Sequence, residues 1–288
     1  MHDLNYELKL ICRRNRDGSF ATQADRERIL ALVANALQAL GFKNLRATSL
    51  KPKHVERLVD AWKAAKLSAG AIKNRMSAMR WWAEKIGKPN IVARFNDAYG
   101  IERRVFVTNV SKARELSSDD LAKISDPYTH ASLRLQAAFG LRREESIKFQ
   151  PAWADRGDRI VLKASWAKGG KERAIPVRTL FQRQLLDEVK AFAGKGSLIP
   201  AELTYKQQVK RFEYQCGRAG VDRVHGHRHL YAQQRYRDLT GRDCPACGGK
   251  TSKTLTAAEK KSDREARLTI SRELGHEREQ VTAIYLGR

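Results

Sequence analysis

Acidic side chains are scarce in this chain of 288 residues: 32 Asp+Glu stand against 56 Lys+Arg, a formal charge of +24. A surface charged so one-sidedly repels its own copies and attracts polyanions, which sets aside basic macromolecules as partners. Cysteine is nearly absent as well. Its four residues, Cys12, Cys216, Cys244 and Cys247, are too few and too scattered for a disulfide framework, so reduced thiols are expected. No stretch approaches the ~20 uninterrupted apolar residues a spanning helix needs. The opening residues Met1 to Lys9, with Asp3 and Glu7, lack the basic-then-apolar order of a secretory signal. A cytoplasmic chain with no membrane partner is therefore expected. There is no repeat with a period of ~20–50 residues, no segment of low complexity, and no G-x-x-x-x-G-K-[ST] loop for a nucleotide. Disorder is excluded too, because 42% of the residues are hydrophobic.

What is present points to nucleic acid. The basic residues are interspersed with apolar ones, which places the charge on folded surfaces rather than in a tail, and no lipidation signal or detachable polybasic helix favours an anionic membrane. At about 100–200 residues per domain, the length predicts two domains. Residues 1–100 read as a helical bundle. Thr22 and Asp25 have the spacing of a capping box ahead of Ile29, Leu32, Val33, Leu37 and Leu40, and Gly41 closes that helix. Pro52 opens a second helix, and Ile72, Met76, Met79, Ala83 and Ile86 mark a third. Trp81-Trp82 is assigned to core packing rather than to base stacking. A further short helix is expected after Lys88-Pro89-Asn90.

Residues 101–116 lose helical periodicity and are taken as a linker. The second domain, 117–288, starts at Ser117-x-x-Asp120 and predicts a helix to about Ser125 and another over His130 to Phe149. There follows a hairpin, with Ile160, Leu162 and Ala164 on one side, a turn at Gly169-Gly170, and a second strand through Ala174, Ile175 and Val177. Thr204-x-x-Gln207 caps another helix, and two helical pieces flank Gly275. The fold class is mainly α with a small β-hairpin in the second domain.

An enzyme that works on phosphate without a metal needs guanidiniums for the non-bridging oxygens, a proton donor for the leaving oxygen, a base and a nucleophile. The second domain has all of these. Arg142 and Glu145 at i,i+3 would let a carboxylate orient a guanidinium, although such pairs also occur as plain surface salt bridges. Lys168 precedes the Gly-Gly turn, with Lys171 as the alternative ammonium. His225 and Arg228 at i,i+3 share a helical face, with His227 and His229 expected to point elsewhere. His276 follows Gly275, and Tyr285 comes nine residues later.

In this order, embedded in GLRREES, AKGGKERAIP, HGHRH and ELGHEREQVTAIY, these residues resemble the active-site set of the tyrosine recombinases, the lambda-integrase-like family. The resemblance is strong over 117–288. Over residues 20–100 it extends to a helical core-binding domain by length and pattern alone. It implies cleavage and rejoining of duplex DNA through a 3′-phosphotyrosyl intermediate, for integration or excision of a mobile element. It assigns Arg142 and Arg228 to the scissile phosphate and Tyr285 to nucleophilic attack. Lys168 would protonate the leaving 5′-oxygen, His225 would act as base, and His276 would donate a hydrogen bond to phosphate. No cofactor is implied, because the phosphotyrosine ester retains the energy of the broken bond.

The partners implied are double-stranded recombination sites and three further copies in a DNA-assembled tetramer that is monomeric when free. A directionality or host DNA-bending factor is a further partner the resemblance allows. The setting is the prokaryotic cytoplasm, at the nucleoid. In the first domain, Lys73, Asn74, Arg75 and Arg80 are the candidate DNA contacts, as part of a two-domain clamp.

Some features depart from the family pattern. His227 stands where an apolar residue is usual, which leaves the base open between His225 and His227. The stretch at about 237–265 reads as an insertion, and only Leu286, Gly287 and Arg288 follow Tyr285. Cys244-Pro-Ala-Cys247-Gly-Gly is half of a zinc knuckle, so either a structural zinc completed through the fold or a loop with free thiols fits. Two other classes use the same residues. A type IB topoisomerase would relax nonspecific plasmid, and a non-catalytic basic DNA-binding protein would bind without a covalent adduct.

Overall fold

The computed structural model describes residues 3–276 and 278–288. Contacts divide the chain into two compact units, Met1–Val105 and Phe106–Arg288. In both, helices dominate, and the only sheet among the described residues has two strands. No helix of the described residues is long and apolar enough to cross a membrane.

The first unit is built on α1 (Asp3–Arg14), α2 (Phe20–Ala39), α3 (Pro52–Ala64) and α4 (Ala69–Lys85). α2 begins earlier than the Thr22–Asp25 spacing suggested. Ser19 is its N-cap, accepting the Thr22 amide at 3.2 Å, while Asp25 pairs with Arg28. The core joins Leu8, Leu30, Leu37, Leu58, Met76, Met79 and Trp82. Trp82 is fully buried, and its indole N–H donates to the Ala47 carbonyl at 3.0 Å, which satisfies the one polar atom it takes inside. Trp81 is buried beside it and donates to Asp17. Where one short helix was expected after Pro89, two single 3-10 turns occur, Pro89–Ile91 and Asn96–Tyr99.

The second unit comprises α5 (Ser118–Ala122), α6 (Pro127–Phe139), α7 (Arg143–Ile147), α8 (Pro151–Ala154), β1 (Arg159–Leu162), β2 (Arg173–Pro176), α9 (Leu180–Ala193), α10 (Tyr205–Ala219), α11 (Gly226–Thr240), α12 (Ala257–Glu273) and α13 (Glu279–Leu286). Its main core gathers Leu135, Phe139, Phe149, Ile160, Leu162, Ile175, Tyr231, Tyr236, Ile270 and Leu286 around α6, α11, α12 and the hairpin.

The continuous helix expected over His130 to Phe149 is broken. Gly140 takes φ +61° and ends α6 as its left-handed cap, and the chain restarts as α7. The space there is full: a Cβ on Gly140 would lie 2.7 Å from Tyr231 Cδ1. Gly140→Ala therefore combines left-handed strain with overlap, and the expected loss is about 2–4 kcal/mol of stability in urea unfolding. A loss under about 1 kcal/mol would show that the α6–α7 break yields easily.

The hairpin also differs from its sequence reading. β1 and β2 pair antiparallel with Leu162 opposite Arg173, so residues 163–172 form a long loop instead of a tight Gly-Gly turn. Ile160, Leu162 and Ile175 face the core as the alternation requires, whereas Ala164 lies exposed in a 3-10 turn, Ala164–Trp166. Within the stretch taken as an insertion, Cys244 and Ala246 join the main core, α11 runs on to Thr240 and α12 begins at Ala257, from which Asp263 accepts the Tyr236 hydroxyl at 2.7 Å.

Candidate active site

Two elements far apart in sequence bring the chemistry together. α11 delivers His225, at its N-cap, and Arg228; α13 delivers Tyr285. The start of α11 is pressed against segment 111–114, where Arg114 N–H donates to the Gly226 carbonyl at 3.2 Å and a Cβ on Gly226 would strike the Arg114 side chain. The Tyr285 hydroxyl then lies 3.2 Å from His225 Nε2 and accepts from Arg228 Nε at 3.3 Å. Gln233, one turn further along α11, donates to the Tyr285 carbonyl at 3.0 Å and fixes the height of α13.

Arg228 is fully buried, and each nitrogen of its guanidinium has a partner, with an Nη1 hydrogen left over for an incoming oxygen. Nη1 donates to the Gly140 carbonyl and Nη2 to the Leu274 carbonyl, with His276 Nε2 at 3.4 Å. Burial, then the charge of Arg142, pulls its pKa down to about 10, which leaves it cationic at neutral pH.

Glu145 organises the other cations. Its carboxylate accepts from the Arg142 backbone N–H at 2.7 Å and from Arg142 Nη1 at 2.7 Å, and it takes both Arg173 Nη groups, at 2.9 and 2.7 Å. Because α7 starts at Arg143, Glu145 reaches back over the helix N-terminus, the reciprocal half of a capping box. Burial alone would raise its pKa, but the Arg173 hydrogen bonds and charge, with Arg228 and Arg142 behind them, hold it at about 2. Two guanidiniums thus share one carboxylate, with the charge of Arg228 close behind them. The surplus positive charge, beside a cleft of about 510 Å³ lined by Lys112, Arg114, Arg223, His225 and His229, is built to receive an anion.

Three imidazoles surround the tyrosine ring. His276 stacks on Tyr285 with centroids 5.3 Å apart, His229 packs at 4.5 Å, and His225 lies 5.8 Å away. Burial and the neighbouring arginines lower the pKa of His225 and take His276 down to about 3; burial and His225 take His229 to about 4. All three are neutral at pH 7, so His225 Nε2 can accept a proton. His276 is oriented by the buried Thr282, whose Oγ1 lies 3.0 Å from its Nδ1.

Arg142, His225, Arg228, His276 and Tyr285 therefore meet. Lys168 does not join them: it stands exposed on loop 163–172, without a hydrogen bond or ion pair among the described residues, and Lys171 is exposed on the same loop. His227, open from sequence as an alternative base, turns away and shares Nδ1 with the Arg114 carbonyl at 2.9 Å. His229 was expected to point elsewhere and instead packs on Tyr285, because His225 sits before the helix and the ring four residues on returns to its side. Sequence reasoning assigned Arg173 no role. Its only signal was its place in AKGGKERAIP, since its partners lie 28 and 100 residues away.

On α4, Asn74 is exposed and Lys73 half-exposed, while Arg75 lies over the Trp62 ring at 5.2 Å. Arg80 is occupied inside the first unit, donating to the Ala93 carbonyl at 2.9 Å and to Asn96 at 2.7 Å, which ties α4 to the 3-10 turns. Among the described residues no group of three His, Cys, Asp or Glu is placed to hold a metal. Cys216 lies in α10 and His229 on Tyr285, so neither completes a site with Cys244 and Cys247.

The family models described as phage integrase, N-terminal, and integrase match residues 1–92 and 103–234, more than three quarters of the chain between them. The chain belongs to the phage integrases, a family of tyrosine recombinases. The integrase match ends before His276 and Tyr285, so those two rest on the motif resemblance and on their geometry beside His225 and Arg228. Solved recombinases share the fold. XerH site-specific recombinase bound to palindromic difH substrate is 16% identical, over 99% of this chain and 81% of that one, with a TM-score of 0.58. A lambda integrase dimer bound to a COC′ core site gives 15%, 98%, 76% and 0.62. The Tn1549 transposon integrase in complex with circular intermediate DNA gives 12%, 100%, 96% and 0.54. No curated protein sequence matches the chain.

Proposed function

We propose that this tyrosine recombinase cuts and rejoins duplex DNA at specific sites with Tyr285 as the nucleophile, integrating or excising a mobile element in the cytoplasm of a prokaryotic cell. The observation that carries the reading is the Tyr285 hydroxyl held between His225 Nε2 and Arg228 Nε, at 3.2 and 3.3 Å. A phenol is a poor nucleophile until a base or strong positive potential draws off its proton, and here both converge on one oxygen.

In the reaction, the Tyr285 oxygen bonds to phosphorus and its proton passes to neutral His225. The bond to the 5′-oxygen breaks, and Lys168 supplies the proton that oxygen takes up once DNA draws loop 163–172 in. Arg142 and Arg228 hold the non-bridging oxygens and His276 donates to one of them. Removing one such donor typically costs ~3–4 kcal/mol of barrier. The reverse reaction, with the 5′-hydroxyl of another strand as nucleophile, needs no cofactor. Exchange between two duplexes requires four copies, and a lambda integrase tetramer has been solved on a Holliday junction.

The test is a labelled duplex from the flanks of the gene's own locus, nicked so that the cut strand cannot religate. A covalent band whose peptide contains Tyr285 is expected, and an adduct at another tyrosine such as Tyr231 would overturn the assignment. Binding itself should be steeply salt-dependent. With Lys73 and Arg75 of α4 and the basic cleft together neutralising about six phosphates, affinity should fall about 10³-fold between about 50 and 200 mM salt. A flat dependence in a gel-shift titration would remove the basic surfaces as the DNA grip.

A further inference from the structure

The Cys244-Pro-Ala-Cys247 segment takes no part in the reaction, yet it abuts the helix that carries Tyr285. Pro245–Cys247 is a 3-10 turn closed by Cys247 N–H donating to the Cys244 carbonyl at 2.8 Å. A Cβ on Gly287, at the end of α13, would lie 2.8 Å from Ala246 N, so turn and helix are in direct contact. Cys244 is buried and Cys247 exposed. The Cys247 and Gly249 amides both donate to the Cys244 carbonyl, at 2.8 and 3.0 Å, which curls the two cysteines into one turn, and burial with the neighbouring Cys247 pushes the Cys244 thiol up to about 12, so Cys247 is the thiol that reacts first. Cys247 Sγ donates to Gln233 Oε1 at 3.2 Å, Ser111 donates to the same oxygen at 2.9 Å, and Gln233 Nε2 holds the Tyr285 carbonyl at 3.0 Å.

We propose that Cys244 and Cys247 are a modification site, a dithiol that a small disulfide oxidises, and that the resulting protein disulfide loosens the seat of Tyr285. The inference rests on the reading of Tyr285 as nucleophile. The exposed Cys247 thiolate attacks one sulfur of the small disulfide and expels a thiolate. Cys244 then attacks the Cys247 sulfur of the mixed disulfide and expels the second thiol. Two electrons pass to the small disulfide, and its two thiols carry away the two protons. The protein disulfide has no S–H, so Gln233 loses one of the two donors that fix its amide.

The test titrates the full chain with oxidised glutathione against dithiothreitol. Disulfides are mapped by alkylation and peptide mass, and hydrogen exchange over residues 279–286 and the yield of covalent DNA complex are read on the same samples. Expected are a Cys244–Cys247 disulfide, faster exchange over 279–286 and a yield about tenfold lower, all restored by reductant. Cys244→Ser should keep its yield in reductant and, under oxidised glutathione, stop at a Cys247 mixed disulfide with a low yield that reductant restores, whereas a double variant Cys244→Ser, Cys247→Ser should be insensitive to both. Cys247→Ala should reproduce the low yield in reductant, and Cys247→Ser, which still donates to Gln233, should restore it. The proposal is overturned by three results: no such disulfide at the most oxidising ratio, a disulfide that leaves exchange and yield unchanged, or stoichiometric zinc protecting both thiols from alkylation. If the reduced protein forms no covalent complex, the nucleophile assignment fails, and exchange over 279–286 still decides whether the dithiol controls α13.

Discussion

Tyr285→Phe abolishes covalent attachment to DNA, by at least about 10³-fold in adduct yield, while leaving DNA affinity within about twofold. The expectation follows from how little the substitution removes. The ring keeps its place between His229 at 4.5 Å and His276 at 5.3 Å, and the Gln233 bond to the residue 285 carbonyl is untouched. No positive charge is lost, so the electrostatic attraction of phosphate persists. What disappears is the one oxygen that His225 and Arg228 share. Arg228 Nε is left buried without that acceptor, at a stability cost of about 1–3 kcal/mol. Denaturing gels for the adduct and gel shifts for affinity separate the two effects. Residual adduct in the variant would move the nucleophile to another side chain, and a parallel loss of affinity would make Tyr285 a binding residue.

The parts of this molecule that were legible in its sequence are those governed by local rules. Ser117, Thr204 and the apolar spacing of α3 and α4 announce their helices, because caps and amphipathic faces are written within a few residues. The sequence around Gly140 misleads for the same reason. Strong helix formers stand on both sides, and only the packing of Tyr231 against the bare glycine decides that the chain turns there. That break has a functional consequence, since it moves Arg142 from mid-helix to the start of α7 and lets Glu145 fold back on it. The resemblance supplied the order of Arg142, His225, Arg228, His276 and Tyr285. It marked Arg173 as a pattern position without a role and did not reach Gln233; their contacts join residues 28 and 52 positions apart and leave no periodic trace. The length of loop 163–172 was hidden in a different way: a Gly-Gly pair reads as a tight turn until the register of Leu162 against Arg173 is known.

Glu145→Gln tests whether the site depends on a single negative charge. The carboxylate is fully buried and is shared by Arg142 and Arg173, with Arg228 close by. The amide keeps the volume but leaves three cations without a counter-charge, and breaking a buried pair in this way costs about 3–5 kcal/mol. The sign of the pH dependence distinguishes charge from packing. In the folded chain the Glu145 pKa is depressed from 4.5 to about 2, so its stabilisation is present above 4.5 and lost as the pH falls through about 2. At 1.36 kcal/mol per unit, that window holds about 3 kcal/mol. Wild type and variant should therefore differ most in urea unfolding at pH 7, and the difference should shrink by about 3 kcal/mol on going from about pH 5 to pH 2. A gap that stays constant across that range would mean the arginines need the shape of Glu145 rather than its charge. The phosphate would then meet guanidiniums held by packing, and the surplus of positive charge at Tyr285 would owe nothing to this carboxylate.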